Sequence, residues 1–141
     1  MDEREIVRRL ALRVRRALLA LQRREPDIFD RNLAGACAVG STMLFILLRA
    51  IGLRPAFVVG VYLDERHRST HAWLELDGEI VDVTATQFGH RPFFTTESED
   101  DRYEPIYRGG RALDAVMRWR LGQSPAAHFF TIDAAVTRVL G

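Results

Sequence analysis

The stretch that decides the fold reads Asn32-Leu-Ala-Gly-Ala-Cys37-Ala-Val-Gly-Ser-Thr-Met-Leu-Phe-Ile-Leu-Leu-Arg49. It places the only cysteine of the chain where a loop of small residues becomes an apolar helix. Apolar residues at positions 44, 47, 48 and 51 keep a helical step, and the positions between them are also mostly apolar. We therefore expect a helix that begins at Cys37, is buried nearly all round and is closed by Gly52.

Cys37 would lie at the end of that helix where a thiol is most easily ionised. The backbone N–H groups of a first helical turn have no partner within the helix, and the helix dipole is positive there, so both favour a thiolate. The placement indicates a nucleophile. A structural role stays open from this stretch alone, because a free cysteine is more often a small buried core residue than a catalyst.

A β-hairpin is predicted over residues 70–76 and 79–85, since Asp77-Gly78 between them is the strongest short hairpin signal. If these two residues form the turn, one face of the hairpin carries only apolar side chains. They are Ala72, Leu74, Leu76, Val81, Val83 and Ala85. His71 and Asp82 then share the opposite face, one diagonal step apart, with roughly 7–8 Å between their backbones. An imidazole and a carboxylate can bridge that distance.

This pairing gives His71 a chemical purpose. A carboxylate that holds one ring nitrogen fixes the tautomer and leaves the other nitrogen free to take a proton from the Cys37 thiol. The alternative is a structural hydrogen bond on the face of a sheet. The histidines at positions 67, 90 and 128 have weaker claims, because they fall in a charged loop, in a turn and beside two phenylalanines.

The order Cys37, His71-Ala-Trp-Leu-Glu75 and Asp82 resembles the core of the transglutaminase-like (papain-like) cysteine enzyme superfamily. The resemblance covers residues 32–88, and among small members the chain is also similar to the leader peptidases of lasso-peptide biosynthesis. It implies an α+β fold in which the buried cysteine helix packs on a small antiparallel sheet with flanking helices. It also implies thiol-dependent acyl chemistry on an amide or peptide bond, by a peptidase, a deamidase or an amide transferase. The substrate would be a peptide or protein. Ala36 replaces the large aromatic residue that often precedes the nucleophile of cross-linking enzymes, which argues against cross-linking.

A thioester mechanism needs hydrogen-bond donors for the developing oxyanion, and the backbone N–H of Cys37 is the natural first one. Asn32 and Gln87 are the candidates for a second donor, although each is also typical of a turn or surface amide. Trp73 is expected to border the substrate cleft. No metal ion or cofactor is expected, since one cysteine excludes a cysteine-rich zinc site.

We expect one domain over residues 1–141. Residues 1–25 are predicted to form an amphipathic helix, and their excess of arginine over acidic residues suits an acidic partner or a membrane surface as well as plain solvent. A buried strand is predicted over residues 56–63 and a C-terminal helical segment over residues 105–141, with one helix at about 112–121. The acidic stretch 97–104 is expected to be a loop that stays in solvent, although it could also flank the site.

The net charge of +1 and the 48% hydrophobic content are those of a soluble globular protein and make no case for nucleic-acid binding. No apolar run is long enough to span a bilayer, so we expect a cytoplasmic protein, or one delivered without a cleavable signal. Two alternatives to a housekeeping enzyme remain. They are a non-catalytic interaction module on the same fold and a delivered toxin domain that uses the same chemistry.

Overall fold

The computed structural model describes residues 2–27, 33 and 36–109. The described chain forms two helices, a short 3-10 helix and one five-stranded antiparallel sheet with the strand order β4-β3-β2-β1-β5. The elements are α1 (Glu3–Arg24), α2 (Cys37–Ala50), β1 (Ala56–Leu63), β2 (Arg68–Leu76), β3 (Glu79–Asp82), the 3-10 helix (Ala85–Phe88), β4 (Phe94–Glu97) and β5 (Tyr103–Arg108). The architecture is α+β, as the sequence predicted. Neither described helix is long and apolar enough to cross a membrane.

Helix α1 is amphipathic, as predicted from its three- and four-residue spacing. The Asp2 side chain caps it by accepting a hydrogen bond of 2.8 Å from the Glu5 backbone N–H. Acidic residues lie in its first turn and arginines in its last, which suits the helix dipole. One stripe of the helix is buried against the rest of the domain, and it consists of Val7, Ala11, Val14, Leu18 and Leu21.

Helix α2 begins at Cys37 and packs between α1 and the sheet, and most of its residues are buried. Gly40 allows the close approach. A Cβ atom at this position would come within 2.8 Å of Val83 and 2.9 Å of Leu18. After the helix Gly52 takes a left-handed conformation, with φ at 89°, and its N–H donates to the Arg49 carbonyl at 3.0 Å. Both predicted ends of the helix are thus confirmed.

The hairpin of β2 and β3 has the predicted register. Leu74 lies opposite Val81, and Leu76 lies opposite Glu79. Asp77 and Gly78 both have positive φ, at 51° and 79°, as a two-residue type I′ turn requires. The faces therefore separate as expected, with the apolar face against the helices.

Two strand boundaries and one helical segment differ from the prediction. β2 starts two residues earlier, at Arg68, and β3 ends at Asp82 instead of residue 85. The chain leaves the sheet there because the Thr84 backbone N–H turns back to the Asp82 carboxylate at 3.1 Å, and the 3-10 helix follows. Residues 105–108 lie in strand β5, not in a helical segment. The rest of the predicted C-terminal helical segment lies outside the described residues.

Strands β4 and β5 were not predicted, and they close the sheet. They occupy its two opposite edges, yet residues 98–102 alone connect them. That connection is compact, since the Asp100 N–H donates to the Glu97 carbonyl at 3.0 Å and the Tyr103 N–H donates to the Asp100 carbonyl at 3.1 Å. The sheet must therefore curl until its edges approach each other.

The curled sheet encloses a second core, which we call the inner cluster. It consists of Val58, Tyr62, Trp73, Ile80, Phe88 and Tyr103, with Phe94 packed against it. Gly60 permits this closure, because a Cβ atom there would lie 2.0 Å from the backbone oxygen of Glu104 on β5. The register of β1 and β5 shifts at the same point, between Val59 and Gly60.

Candidate active site

A buried pair of His71 and Asp82 forms the centre of the candidate site. The hairpin register places both on the inner face, and the His71 Nε2–H donates to Asp82 Oδ2 at 2.7 Å. His71 is 2% exposed and Asp82 is 1% exposed. Because an ionised carboxylate only accepts, the contact fixes the proton of the neutral imidazole on Nε2 and leaves Nδ1 free.

The charges of the pair support each other inside the core. Burial alone would raise the pKa of Asp82, but the charge of His71 and hydrogen bonds from His71, Tyr103 and the Thr84 N–H hold it below its ordinary value. Burial would likewise lower the pKa of His71, but the charge and hydrogen bond of Asp82, with smaller contributions from Cys37, raise it to about 10. The pair therefore favours an imidazolium beside a carboxylate.

Cys37 approaches His71 from the first turn of α2. Its side chain is partly exposed and interacts with the His71 side chain and with the backbone N–H of Ala72 on β2. Burial would raise the pKa of the thiol, but the hydrogen bond and charge of His71 and the Ala72 N–H hold it below its usual value. His71 thus lies between a carboxylate and a thiol whose ionised form it stabilises.

Gln87 lies on the open side of the imidazole. Its Nε2 is 3.5 Å from His71 Nδ1 and donates to Thr84 Oγ1 at 3.2 Å. The 3-10 helix that carries Gln87 is attached to α1, because Arg15 donates to the Thr86 hydroxyl at 2.9 Å. An amide donor is therefore held next to the ring nitrogen that can face the thiol. Asn32, the other amide candidate, lies outside the described residues.

Trp73 lies behind the imidazole. It is fully buried, and its ring stacks on His71 with 6.0 Å between centroids and contacts the Tyr103 ring edge-on at 5.1 Å. This position differs from the expected place at the border of a substrate cleft. The structure gives Trp73 the task of shaping the pocket that holds the imidazole.

Tyr103 is a site residue that the sequence analysis missed. It is 3% exposed, and its hydroxyl donates to Asp82 Oδ2 at 2.8 Å. Burial and the Asp82 charge raise the pKa of this phenol, which keeps it a neutral donor. Tyr103 stands in a charged stretch that was interpreted as a solvated loop. One local feature of the sequence indicated a strand here. Tyr103 begins the short segment 103–107, which ends in a second aromatic residue, Tyr107.

The other described histidines are engaged away from Cys37. His67 interacts with Asp64 in the β1–β2 loop, with 3.1 Å between Nδ1 and Oδ1. His90 Nε2 is 2.8 Å from the Tyr62 hydroxyl, and its ring stacks on Phe94 at 4.0 Å. Position 128 lies outside the described residues. Among the residues that the structure describes, no three His, Cys, Asp or Glu side chains are grouped to hold a metal ion.

An open groove of about 1140 Å³ begins at Gln87. Three segments line it, namely the β1–β2 loop at 63–67, the 3-10 helix with Gly89, and residues 101–102 of the β4–β5 loop. Charged side chains such as Asp64 and Arg102 line it together with the apolar side chains of Leu63 and Phe88. Gln87 is the one candidate site residue in its lining, which does not include Cys37, His71 or Asp82.

A family model described as the transglutaminase-like superfamily matches residues 2–108, which is more than half of the chain. The matched range runs from α1 to the end of β5 and includes all the site residues described above. No curated protein and no solved structure matches the chain significantly.

Proposed function

The chain belongs to the transglutaminase-like superfamily, and we propose that its Cys37, His71 and Asp82 form a catalytic triad for acyl transfer from an amide or peptide bond. Membership of the superfamily indicates thiol-dependent acyl chemistry in general. The single observation that carries the finer proposal is the buried 2.7 Å hydrogen bond between His71 Nε2 and Asp82, which leaves Nδ1 available to a thiol whose pKa His71 lowers. A structural hydrogen bond alone would not require that thiol beside it.

The mechanism follows from the free ring nitrogen. His71 Nδ1 already holds the proton of Cys37 in the resting imidazolium–thiolate pair that the two pKa shifts favour, and the thiolate attacks the carbonyl carbon of the substrate. The carbon–nitrogen bond then breaks, His71 returns the proton to the departing amine or ammonia, and a thioester remains on Cys37. Water or a second amine attacks the thioester, gives its proton to His71, and releases the thiolate. Asp82 stabilises the imidazolium in both halves of the reaction.

The oxyanion needs donors fixed in advance, and two are supported. The Cys37 backbone N–H lies at the start of α2, where no residue of the same helix accepts from it. The Gln87 amide is 3.5 Å from His71 Nδ1, so a carbonyl that approaches the thiol would pass near it. We assign the second donor to Gln87, and Asn32 remains the alternative.

An extended peptide is the substrate that the open groove suits best. The groove begins at the proposed donor and offers charged and polar side chains along its length, whereas a small acyl donor would favour an enclosed pocket. Exposed arginines line the outer side of α1, and Arg8 and Arg9 share Glu5 there. Arg13 and Arg16 extend this basic face, which would attract an acidic segment of the substrate or of a partner.

Thiol reactivity tests the triad. Wild-type Cys37 should react with iodoacetamide at neutral pH, and His71→Gln and Asp82→Asn should slow the reaction at least tenfold. His90→Gln is the matched control, because it removes an imidazole that Asp82 does not hold. Incubation with peptide libraries and mass spectrometry should then show a thioester on Cys37, a deamidated glutamine or a cleaved chain.

The opposite result would support a non-catalytic module. If the thiol reacts only on unfolding, and Cys37→Ala leaves the biological activity intact, the acyl-transfer proposal is wrong. Binding of acidic peptides would then be the function to measure, with Arg13→Glu and Arg16→Glu as the variants expected to weaken it several-fold.

A further inference from the structure

Asp82 Oδ2 accepts two hydrogen bonds at once. One comes from His71 Nε2 at 2.7 Å, and the other comes from the Tyr103 hydroxyl at 2.8 Å. The other carboxylate oxygen accepts from the Thr84 backbone N–H at 3.1 Å. Each donor lies on a different segment of the chain, so the carboxylate is held from three sides.

Tyr103 reaches Asp82 because the sheet curls and brings its edge strands toward each other. It stands at the start of β5, at the edge of the sheet opposite to the β3 side that carries Asp82. It is also the only buried residue of β5. Residues 98–102 hold this start in place, since Arg102 donates to the Asp100 carboxylate at 3.0 and 2.6 Å and Thr96 donates to it at 2.8 Å. The loop thus fixes the phenol where it meets the carboxylate.

We propose that Tyr103 is a positioning residue of the site, whose hydroxyl fixes the rotation of the Asp82 carboxylate so that Oδ2 stays in line with His71 Nε2. The inference rests on the proposed function for its catalytic consequence. The effect of Tyr103 on the rotation of the Asp82 carboxylate does not depend on that function. A carboxylate with one donor fewer turns more freely about its side-chain bonds, and hydrogen bonds to charged groups are the stronger ones in a protein interior.

Tyr62 provides a matched control. It is a fully buried tyrosine of the same inner cluster and lies directly opposite Tyr103 in the pairing of β1 and β5. Its hydroxyl, however, donates to Asp64 Oδ2 at 2.8 Å and does not reach Asp82. Replacing either tyrosine by phenylalanine removes one buried hydroxyl from the same aromatic cluster, and only Tyr103→Phe removes a donor from Asp82.

Two measurements on the full chain test the proposal. The first is the rate of Cys37 alkylation by iodoacetamide across the pH range. We expect Tyr103→Phe to slow it about fivefold at neutral pH and Tyr62→Phe to change it less than twofold, because a loosely held carboxylate stabilises the imidazolium less. The second is the downfield proton resonance of the His71 Nε2–H, which should broaden and move upfield in Tyr103→Phe alone.

The proposal is overturned if Tyr103→Phe keeps the wild-type rate and resonance, or if Tyr62→Phe changes both to the same extent. If wild-type Cys37 is unreactive and insensitive to His71→Gln, the proposed function fails, and the resonance still decides the role of Tyr103. If Tyr103→Phe does not fold, the wild-type protein provides the test. The Tyr103 hydroxyl proton and the His71 Nε2–H proton share one oxygen, so a nuclear Overhauser effect must connect them, and its absence rejects the contact.

Discussion

The two faces of the sheet are built on opposite principles. The face toward the helices belongs to a cluster of apolar side chains from α1, α2 and the strands, among them Leu18, Leu44 and Leu74. The inner face surrounds His71 and Asp82, both nearly fully buried, with aromatic rings. One face therefore gains stability from apolar burial, and the other pays a desolvation cost to hold an ion pair.

The comparison shows how a small domain combines stability with chemistry. The helix-facing cluster tolerates removal of water because its side chains need no hydrogen bond. Buried polar groups of the inner face are costly without a partner, and Asp82 has donors on both oxygens. The indole N–H of Trp73 lies in the same cluster and has no hydrogen-bond partner among the described residues. The rings around His71 exclude water, so the interaction of the two charges is weakly screened. The inner face should accordingly be the more sensitive one.

The largest expected effect is that of Gly60→Ala, which acts on the inner face. Its Cβ would lie 2.0 Å from the Glu104 backbone oxygen and 2.8 Å from the Trp73 ring, and the backbone oxygen cannot move without shifting β5. We expect a loss of about 3 kcal/mol in the free energy of unfolding, measured by urea denaturation. Cys37 alkylation should slow as well, since Tyr103 moves with β5. An unchanged urea midpoint would show that the sheet closes more loosely than described.

The second prediction concerns pH and isolates the ion pair. The pKa of His71 is raised from 6.5 to about 10. The protonated imidazole therefore stabilises the folded protein fully below pH 6.5, and this stabilisation is lost as the pH rises toward 10. A Cys37→Ala background removes the titrating thiol together with the part of the shift that the thiol causes, and the part due to Asp82 should still lower the stability by about 2 kcal/mol as the pH rises above 6.5. The decline should be absent from Cys37→Ala/His71→Gln. Parallel curves for the two proteins would mean that the imidazole is not stabilised as a cation.

The smallest expected effect is that of Gly40→Ala, which acts on the helix-facing side. The new Cβ would come within 2.8 Å of Val83 and 2.9 Å of Leu18, and these contacts are side-chain methyl groups, of which the Leu18 methyl can give way. Alanine also favours a helix over glycine by up to about 1 kcal/mol. We expect a net loss of about 1 kcal/mol by urea denaturation and an alkylation rate within twofold of wild type. A loss as large as that of Gly60→Ala would remove the contrast between the faces.

Local signals explain which parts of the fold could be predicted. The spacing of apolar residues in α1, the small residues before Cys37 and the Asp77-Gly78 turn act within a few positions of the chain. The turn alone sets the register that pairs Leu74 with Val81, and this register puts His71 and Asp82 on one face. The core of the candidate site was therefore accessible from sequence.

Long-range pairing explains what could not be predicted. β5 pairs with β1, and β4 pairs with β3, across a stretch whose charges suggested solvent. Nothing near Tyr103 in the sequence indicates that its hydroxyl meets Asp82, because the contact depends on the curl of the whole sheet. The end of β3 at Asp82 likewise results from a side-chain contact with the Thr84 N–H, which competes with the strand hydrogen bonds.

The docking of β5 also determines when, during synthesis and folding, the Cys37 thiol becomes reactive. Cys37, His71 and Asp82 leave the ribosome before Tyr103, and the pairing of Tyr62 with Tyr103 closes a long loop, which is a slow step in folding. Until β5 docks, Asp82 lacks one donor and the rings of the inner cluster cannot exclude water. We therefore expect the nascent chain to carry an ordinary, weakly reactive cysteine, and the nucleophile to appear only when the protein is complete through residue 108.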